Sequence, residues 1–239
     1  MKKAVIIALG VFILSLCSCT VKTEYYQGFP LAHEEIIENF DYFISILEEF
    51  GDSNAFVIDW VAKVEPVEYS LSLGGLEISD LSWVYKEEDC LWLFTGYIDE
   101  SLLDIEDHLI HFDVGFNGNV HQGVLRLSPE IICESVVEFH FNADLDICWE
   151  ADYEPQLFNL SLDHGWLGYE GNELVHYNYQ LSDDASSYHL DQSYFTLNTV
   201  GGFECLLAEI KAVNYYQEKK FMIYSYTENN IFYDNFLDR

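Results

Sequence analysis

Apolar and polar residues alternate with two distinct periods along this chain. Ile36, Ile37, Phe40, Phe43, Ile44 and Leu47 recur with a period near 3.6, opposite Glu34, Glu35, Glu38, Asp41, Glu48 and Glu49. Such a stripe predicts an amphipathic helix packed by one face. Its first-turn glutamates suit the positive end of the helix dipole, and Gly51 is placed to stop it. Beyond Asn54 the period becomes two, which predicts half-buried strands. Phe56, Ile58, Trp60 and Val64 share one face; Val67, Tyr69, Leu71 and Leu73 alternate with Glu68, Ser70 and Ser72. Gly74-Gly75 then turns the chain into "LEISDLSWVY", where the apolar phase slips at Ser79-Asp80 as a bulge or corner would make it slip. "CLWLFTGYI" (90–98) is apolar on both faces and predicts a central, doubly covered strand.

Hairpin signals continue downstream. Asn117-Gly118 between "LIHFDVGF" and "NVHQGVLRL" is the strongest, because Asn-Gly favours the primed turn that matches strand twist. Gly171-Asn172 is a second, and Asn229-Asn230 predicts a closing hairpin between "KKFMIYSYT" and "IFYDNF". Phe203, Leu206, Leu207, Ile210 and Val213 fit a short helix, and "SDDASS" (182–187) a polar loop. The predicted fold is mainly β (α+β). It is an antiparallel sheet folded into a sandwich or partly closed barrel, with an N-terminal amphipathic helix and a short C-terminal one.

The N-terminus changes this picture. Lys2 and Lys3 precede an uncharged apolar run from Ala4 to Leu16, the charge and length order of a secretory signal. Extended to Val21, the run comes close to the roughly 20 residues that span a bilayer. "LCSC" (Leu16, Cys17, Ser18, Cys19) resembles the lipobox of bacterial lipoproteins, with leucine at −3, a small residue at −1 and then the lipidated cysteine. Cys17 at −2 is the one unusual choice. The resemblance covers about the first twenty residues and implies cleavage before Cys19 and acylation of its sulfur. It divides the chain into a signal peptide (1–18), a lipidated tether (19–30) and one β-rich domain (31–239). It implies a bacterial cell-envelope protein held on a membrane by lipid, on the outer membrane rather than the inner, facing the periplasm or the exterior.

Composition narrows the partners. The chain of 239 residues carries 10 Lys+Arg against 42 Asp+Glu, a net charge of −32, and loss of the signal removes two lysines and no acid. Half the residues are apolar and 16% aromatic, so a core forms despite the charge. Such a charge repels phosphate backbones and excludes nucleic acid. Cationic proteins, metal cations and neutral glycans remain, and the charge also serves solubility. Cys90, Cys133, Cys148 and Cys205 lack the C-x-x-C spacing of zinc or thioredoxin sites; in an exported chain they are candidate disulfide cysteines, or small buried hydrophobes.

Chemistry is sparse. In "VEFHFNADLDICWE" (137–150) the alternation puts Glu138, His140, Asn142, Asp144, Asp146, Cys148 and Glu150 on one strand face. Glu138, His140, Asp144, Asp146 and Glu150 are the candidate face for a cation or a cationic partner. The run lacks the glycine and final acid of an EF-hand, so that reading is rejected. His108 and His111 fall on opposite faces of a strand and cannot share a metal there. No hydrolase or phosphate-loop motif occurs, so no catalytic residue, metal site or cofactor is assigned. Tyr177, Tyr179, Tyr188 and Tyr194, with Trp166 and Tyr169, surround the polar loop and suit either packing or sugar rings. The functional expectation is a membrane-anchored, non-enzymatic binding or structural module capturing a cationic protein. The alternative is an envelope hydrolase acting on glycans through paired carboxylates.

Overall fold

The structure is a computed structural model that describes residues 22–25, 36, 39–49, 55–79, 81–133, 143–168, 171–195 and 203–235. Residues 1–21, Cys19 among them, and Glu138, His140 and Tyr169 lie outside the described residues. Among the described residues, no helix is long and apolar enough to cross a membrane.

The fold is mainly β and sandwich-like, not a closed barrel. One large sheet runs in the order β1 (Lys22–Tyr25), β14 (Gly171–Leu181), β13 (Leu157–Gly168), β16 (Phe203–Glu218), β17 (Phe221–Asn235), β2 (Tyr42–Glu49), β3 (Ala55–Ala62), β7 (Leu91–Asp99) and β6 (Val84–Lys86). Two smaller sheets cap one of its faces. The first cap holds β10 (Asn119–Arg126), β9 (Leu109–Phe116), β4 (Tyr69–Leu73) and β5 (Leu76–Glu77), with β8 (Ile105–Glu106) also paired to β9. The second holds β11 (Ile131–Cys133), β12 (Leu145–Ala151) and β15 (Ser187–Leu190). Two 3-10 turns, Glu100–Leu102 and Gln192–Phe195, complete the described elements.

Each cap closes its own core. Ile44, Ile58, Trp60, Phe116, Leu73 and Phe221 fill the first, and Leu160, Leu162, Ile147, Trp149, Leu206 and Ile210 the second. A third cluster of Phe43, Val61, Val213 and Met222 lies on the opposite face of the large sheet, under Ile36 and Phe40.

Several expectations are corrected. Ile36 and Asn39 are helical, and the Phe40 N–H donates to the Ile36 carbonyl at 2.9 Å, but from Tyr42 the chain is strand β2. Tyr42, Ile44 and Ile46 face one core and Phe43 the other. A strand buried on both faces has apolar residues at consecutive positions, and here their spacing mimics a helical stripe. The expected C-terminal helix is the first half of β16, whose Leu206, Ala208, Ile210 and Ala212 alternate into the second core. Asn229-Asn230 lies inside the unbroken β17; the chain turns instead at Lys219-Lys220, where Lys219 takes φ +53. Gly171-Asn172 pairs within β14, with Gly168 opposite Gly171, so β13 and β14 form the expected antiparallel pair and Gly171-Asn172 belongs to the strand rather than the turn. The strand from Leu91 is one in from the sheet edge, with Thr95 and Tyr97 exposed, rather than doubly covered. Lys22–Tyr25 of the expected tether pairs parallel to β14.

The Asn117-Gly118 hairpin forms as expected, with φ +46 and +83, as a two-residue primed turn requires. Gly74 also carries positive φ (+51), and a Cβ there would come within 2.8 Å of the Asp104 backbone nitrogen.

Between the two caps the chain runs through residues 126–131, whose backbone is held by side chains of the large sheet. Ser225 Oγ donates to the Arg126 carbonyl (2.9 Å), Asn214 Nδ2 to Leu127 (2.8 Å), Ser128 Oγ to the Ser225 carbonyl (2.8 Å), and Asn229 Nδ2 to Ile131 (2.9 Å). Asn214 Oδ1 also accepts from the Gln156 N–H at 2.8 Å. Asn214 is 1% exposed, so truncating it strands buried polar groups with no access to water. Asn214→Ala is expected to cost about 2–3 kcal/mol, read as a lower urea midpoint; a loss under about 0.5 kcal/mol would contradict a structural role for this seam.

Candidate functional site

The second cap carries the part of the expected binding face that is described. Leu145, Ile147 and Trp149 point into the core, so Asp144, Asp146 and Glu150 are exposed on the other side, as the alternation predicts. Asp146 lies opposite His189 in the β12–β15 ladder. His189 Nδ1–H donates to Asp146 Oδ1 at 2.7 Å, and its Nε2 stands 4.0 Å from Asp144 Oδ2. The Asp146 hydrogen bond raises the His189 pKa, with the charges of Asp146, Asp144 and Asp191 adding to it. Asp144 Oδ1 meanwhile accepts from the Gln192 N–H at 2.8 Å. Glu150 pairs in register with Ile132 and has no place in this group. The aspartates therefore meet an internal imidazole, and the described residues contain no cluster of three or more groups arranged to hold a metal ion.

Cys133, Cys148 and Cys205 are half-buried. Cys133 faces the second core, and burial pushes its thiol up to about 11, which makes it a poor nucleophile. Cys90 is exposed at φ +55 in the β6–β7 turn. Tyr177, Tyr179, Tyr188 and Tyr194 do come together: Tyr179 and Tyr188 centroids lie 4.8 Å apart, and those of Tyr177 and Tyr194 5.1 Å. They pack half-buried on the second core, which makes them part of its wall. His108 sits in a turn at φ +62 and stacks on Tyr153, while His111 is exposed on β9.

Two constellations had no sequence signal. Tyr42 O–H lies 2.6 Å from His121 Nε2, and His121 Nδ1 lies 3.0 Å from Glu218 Oε2. With the phenol donating to Nε2 and Nδ1–H donating to the carboxylate, all three groups are satisfied. Tyr42 and His121 are 5% and 7% exposed, and burial beside Asp41 and Glu218 pushes the phenol up to about 12. The phenol stays protonated and out of reach of solutes, so the triad is a clasp between β2, β10 and β16. Pairing partners 79 and 97 residues apart leave no local pattern.

The second constellation is Glu48, half-buried at the end of β2. Burial, then the charges of Glu100 and Glu130, push its carboxyl up to about 7. Tyr153 stands near it, donating to the Leu127 carbonyl at 2.8 Å while Arg126 covers its ring at 4.5 Å. A cleft of about 500 Å³ lies elsewhere, lined by Tyr69, Ile78, Ser79, Leu81 and Ser82, none of them acidic.

No protein-family model matches the chain, and no curated protein matches it in sequence.

The Glu48 carboxyl is worth a direct measurement. Its folded pKa lies above the ordinary 4.5, so the native state holds a proton that the unfolded state has released between about pH 4.5 and 7. Stability falls with rising pH across that window, and the full cost persists above it. Glu48→Gln is expected to stabilise the protein by about 1–2 kcal/mol at pH 8, after allowance for partial solvation, and to leave stability at pH 4 unchanged. Urea unfolding at both pH values checks this; an equal effect at the two would contradict it.

Proposed function

We propose that this chain is a lipid-anchored bacterial envelope protein whose domain captures a cationic protein without catalysing a reaction. One observation carries the binding reading. No lysine or arginine occurs between Arg126 and Lys211, and that stretch supplies the whole of the second cap. Its outward carboxylates Asp144 and Asp146 flank His189, and Glu150, Asp183, Asp184 and Asp191 are exposed along the same stretch. A surface of one sign on a low-dielectric sheet raises the local concentration of opposite charge and speeds encounter. Exposed pairs contribute only about 0.2–1 kcal/mol each, so capture depends on several of them together.

The anchor rests on the lipobox resemblance and Cys19. One acyl chain binds a membrane marginally and two or more bind it stably, so a multiply acylated N-terminus suffices without a spanning helix. Membrane attachment places the acidic cap where basic envelope proteins pass.

Asp144→Asn, Asp146→Asn and Glu150→Gln together are expected to weaken binding of poly-lysine about tenfold at low salt, and to flatten the dependence of log affinity on log salt. Unchanged affinity would move the cationic surface elsewhere. Independently, Cys19→Ser is expected to leave an unprocessed precursor that incorporates no palmitate, and normal acylation of the variant would refute the anchor.

A further inference from the structure

We infer that the open edge of β7, from Phe94 to Asp99, is a docking strand for an extended basic segment of a partner protein, which joins the large sheet as an additional strand. The inference rests on the cationic-partner reading and adds a second surface, remote in sequence from the acidic cap.

The edge is exposed by a mismatch in strand length. β3 pairs with β7 from Trp92 to Asp99, but β6 covers only Leu91 to Leu93. Among the described residues, Phe94 to Asp99 therefore present one row of backbone groups without a strand partner, about 20 Å long at roughly 3.3 Å per residue. Unpaired edges of this kind accept extended peptides, with main-chain hydrogen bonds supplying affinity and alternate side chains supplying selectivity. Access is open: Thr95 is exposed and Tyr97 is 73% exposed. At Gly96 the Phe94 ring folds over the backbone, and a Cβ there would lie 2.6 Å from Phe94 Cζ. That ring lies on the core side, where Phe94 belongs to the first core, and Gly96 adds no side chain of its own to the edge.

Charge names the occupant. Asp59 accepts from Thr95 Oγ1 at 2.6 Å on the next strand in, Asp99 closes the edge, and Glu100 follows it. A strand added beyond β7 would place alternate side chains toward Thr95, Tyr97 and these carboxylates, where lysine or arginine is favoured. The exposed Tyr97 ring offers a cation–π contact as well. A second copy of the chain is disfavoured, because each carries a net charge of −32. The eight-residue edge strand β10 lacks these features. It carries no acid, ends on Arg126, and packs Gly123 close to Tyr216 of β16.

The test is hydrogen exchange on the full chain in detergent micelles, with two synthetic peptides of equal length and charge. One alternates lysine with valine; the other alternates lysine with proline, which cannot complete a ladder. The Lys-Val peptide is expected to slow exchange of amides in 94–99 about tenfold at low salt, and the Lys-Pro peptide to leave them unchanged. Binding of both peptides without protection of 94–99, or equal protection by both, would overturn the docking strand and leave cationic capture standing. Binding of neither at low salt would overturn both.

Discussion

The arrangement of this protein depends on how the short segment 126–131 is held. It leaves one cap and enters the next across the middle of the large sheet, where carbonyls cannot reach water. Ser225, Asn214 and Asn229 project from β16 and β17 to donate to those carbonyls, and Ser128 bonds back. A buried carbonyl left without a donor costs more than a typical hydrogen bond contributes. The segment is thereby tied to one register on the β16–β17 hairpin, and both caps are fixed on the same face. The rest follows from that placement. The acidic strand β12 turns its polar side outward, and Tyr153 reaches back to Leu127 beside Glu48.

Much of the strand content was legible because half-buried strands write their burial into a period of two. β4, β9 and β12 carry that alternation, and the turn at Asn117-Gly118 carries its own residue requirement. Errors cluster where the period is no guide. β2 is buried on both faces, so consecutive apolar residues imitate a helix in Ile36–Leu47; in β16 Leu207 and Val213 sit on the face away from the second core and break the alternation of Phe203–Val213. Asn229 looks like a turn residue and is a donor to Ile131. The candidate face was legible as alternation at Asp144 and Asp146, yet its histidine was not, since His189 reaches Asp146 only through strand pairing. The Tyr42–His121–Glu218 clasp and the perturbed Glu48 arise from three-dimensional encounter alone.

Charge is managed differently in the interior and at the surface. On the face of the large sheet away from the caps, Lys211 is held between Glu209 at 2.9 Å and Glu228 at 3.2 Å, and His176 donates to Asp163 at 2.7 Å. Glu209, Glu228 and Asp163 each have a basic side chain supplied by the fold. The carboxylates of the second cap and of the β7 edge have few or none, and these are the surfaces from which a positive partner would gain most. A chain this acidic tolerates an open strand edge because mutual repulsion discourages self-pairing, a form of protection more often provided by lysines or proline on the edge itself.

The parallel pairing of β2 with β17 joins Tyr42–Leu47 to Phe221–Tyr226, and Lys220 Nζ reaches the Asn39 carbonyl across 181 residues. That ladder is the central join of the large sheet, with β14, β13 and β16 on one side and β3, β7 and β6 on the other. A chain that emerges N-terminus first must therefore hold one edge of β2 unpaired until β17 is delivered. Loop closure on that scale makes the final step slow and leaves an adhesive strand waiting through synthesis. Assembly of this protein is then a problem of timing, in which β2 needs shelter until β17 arrives.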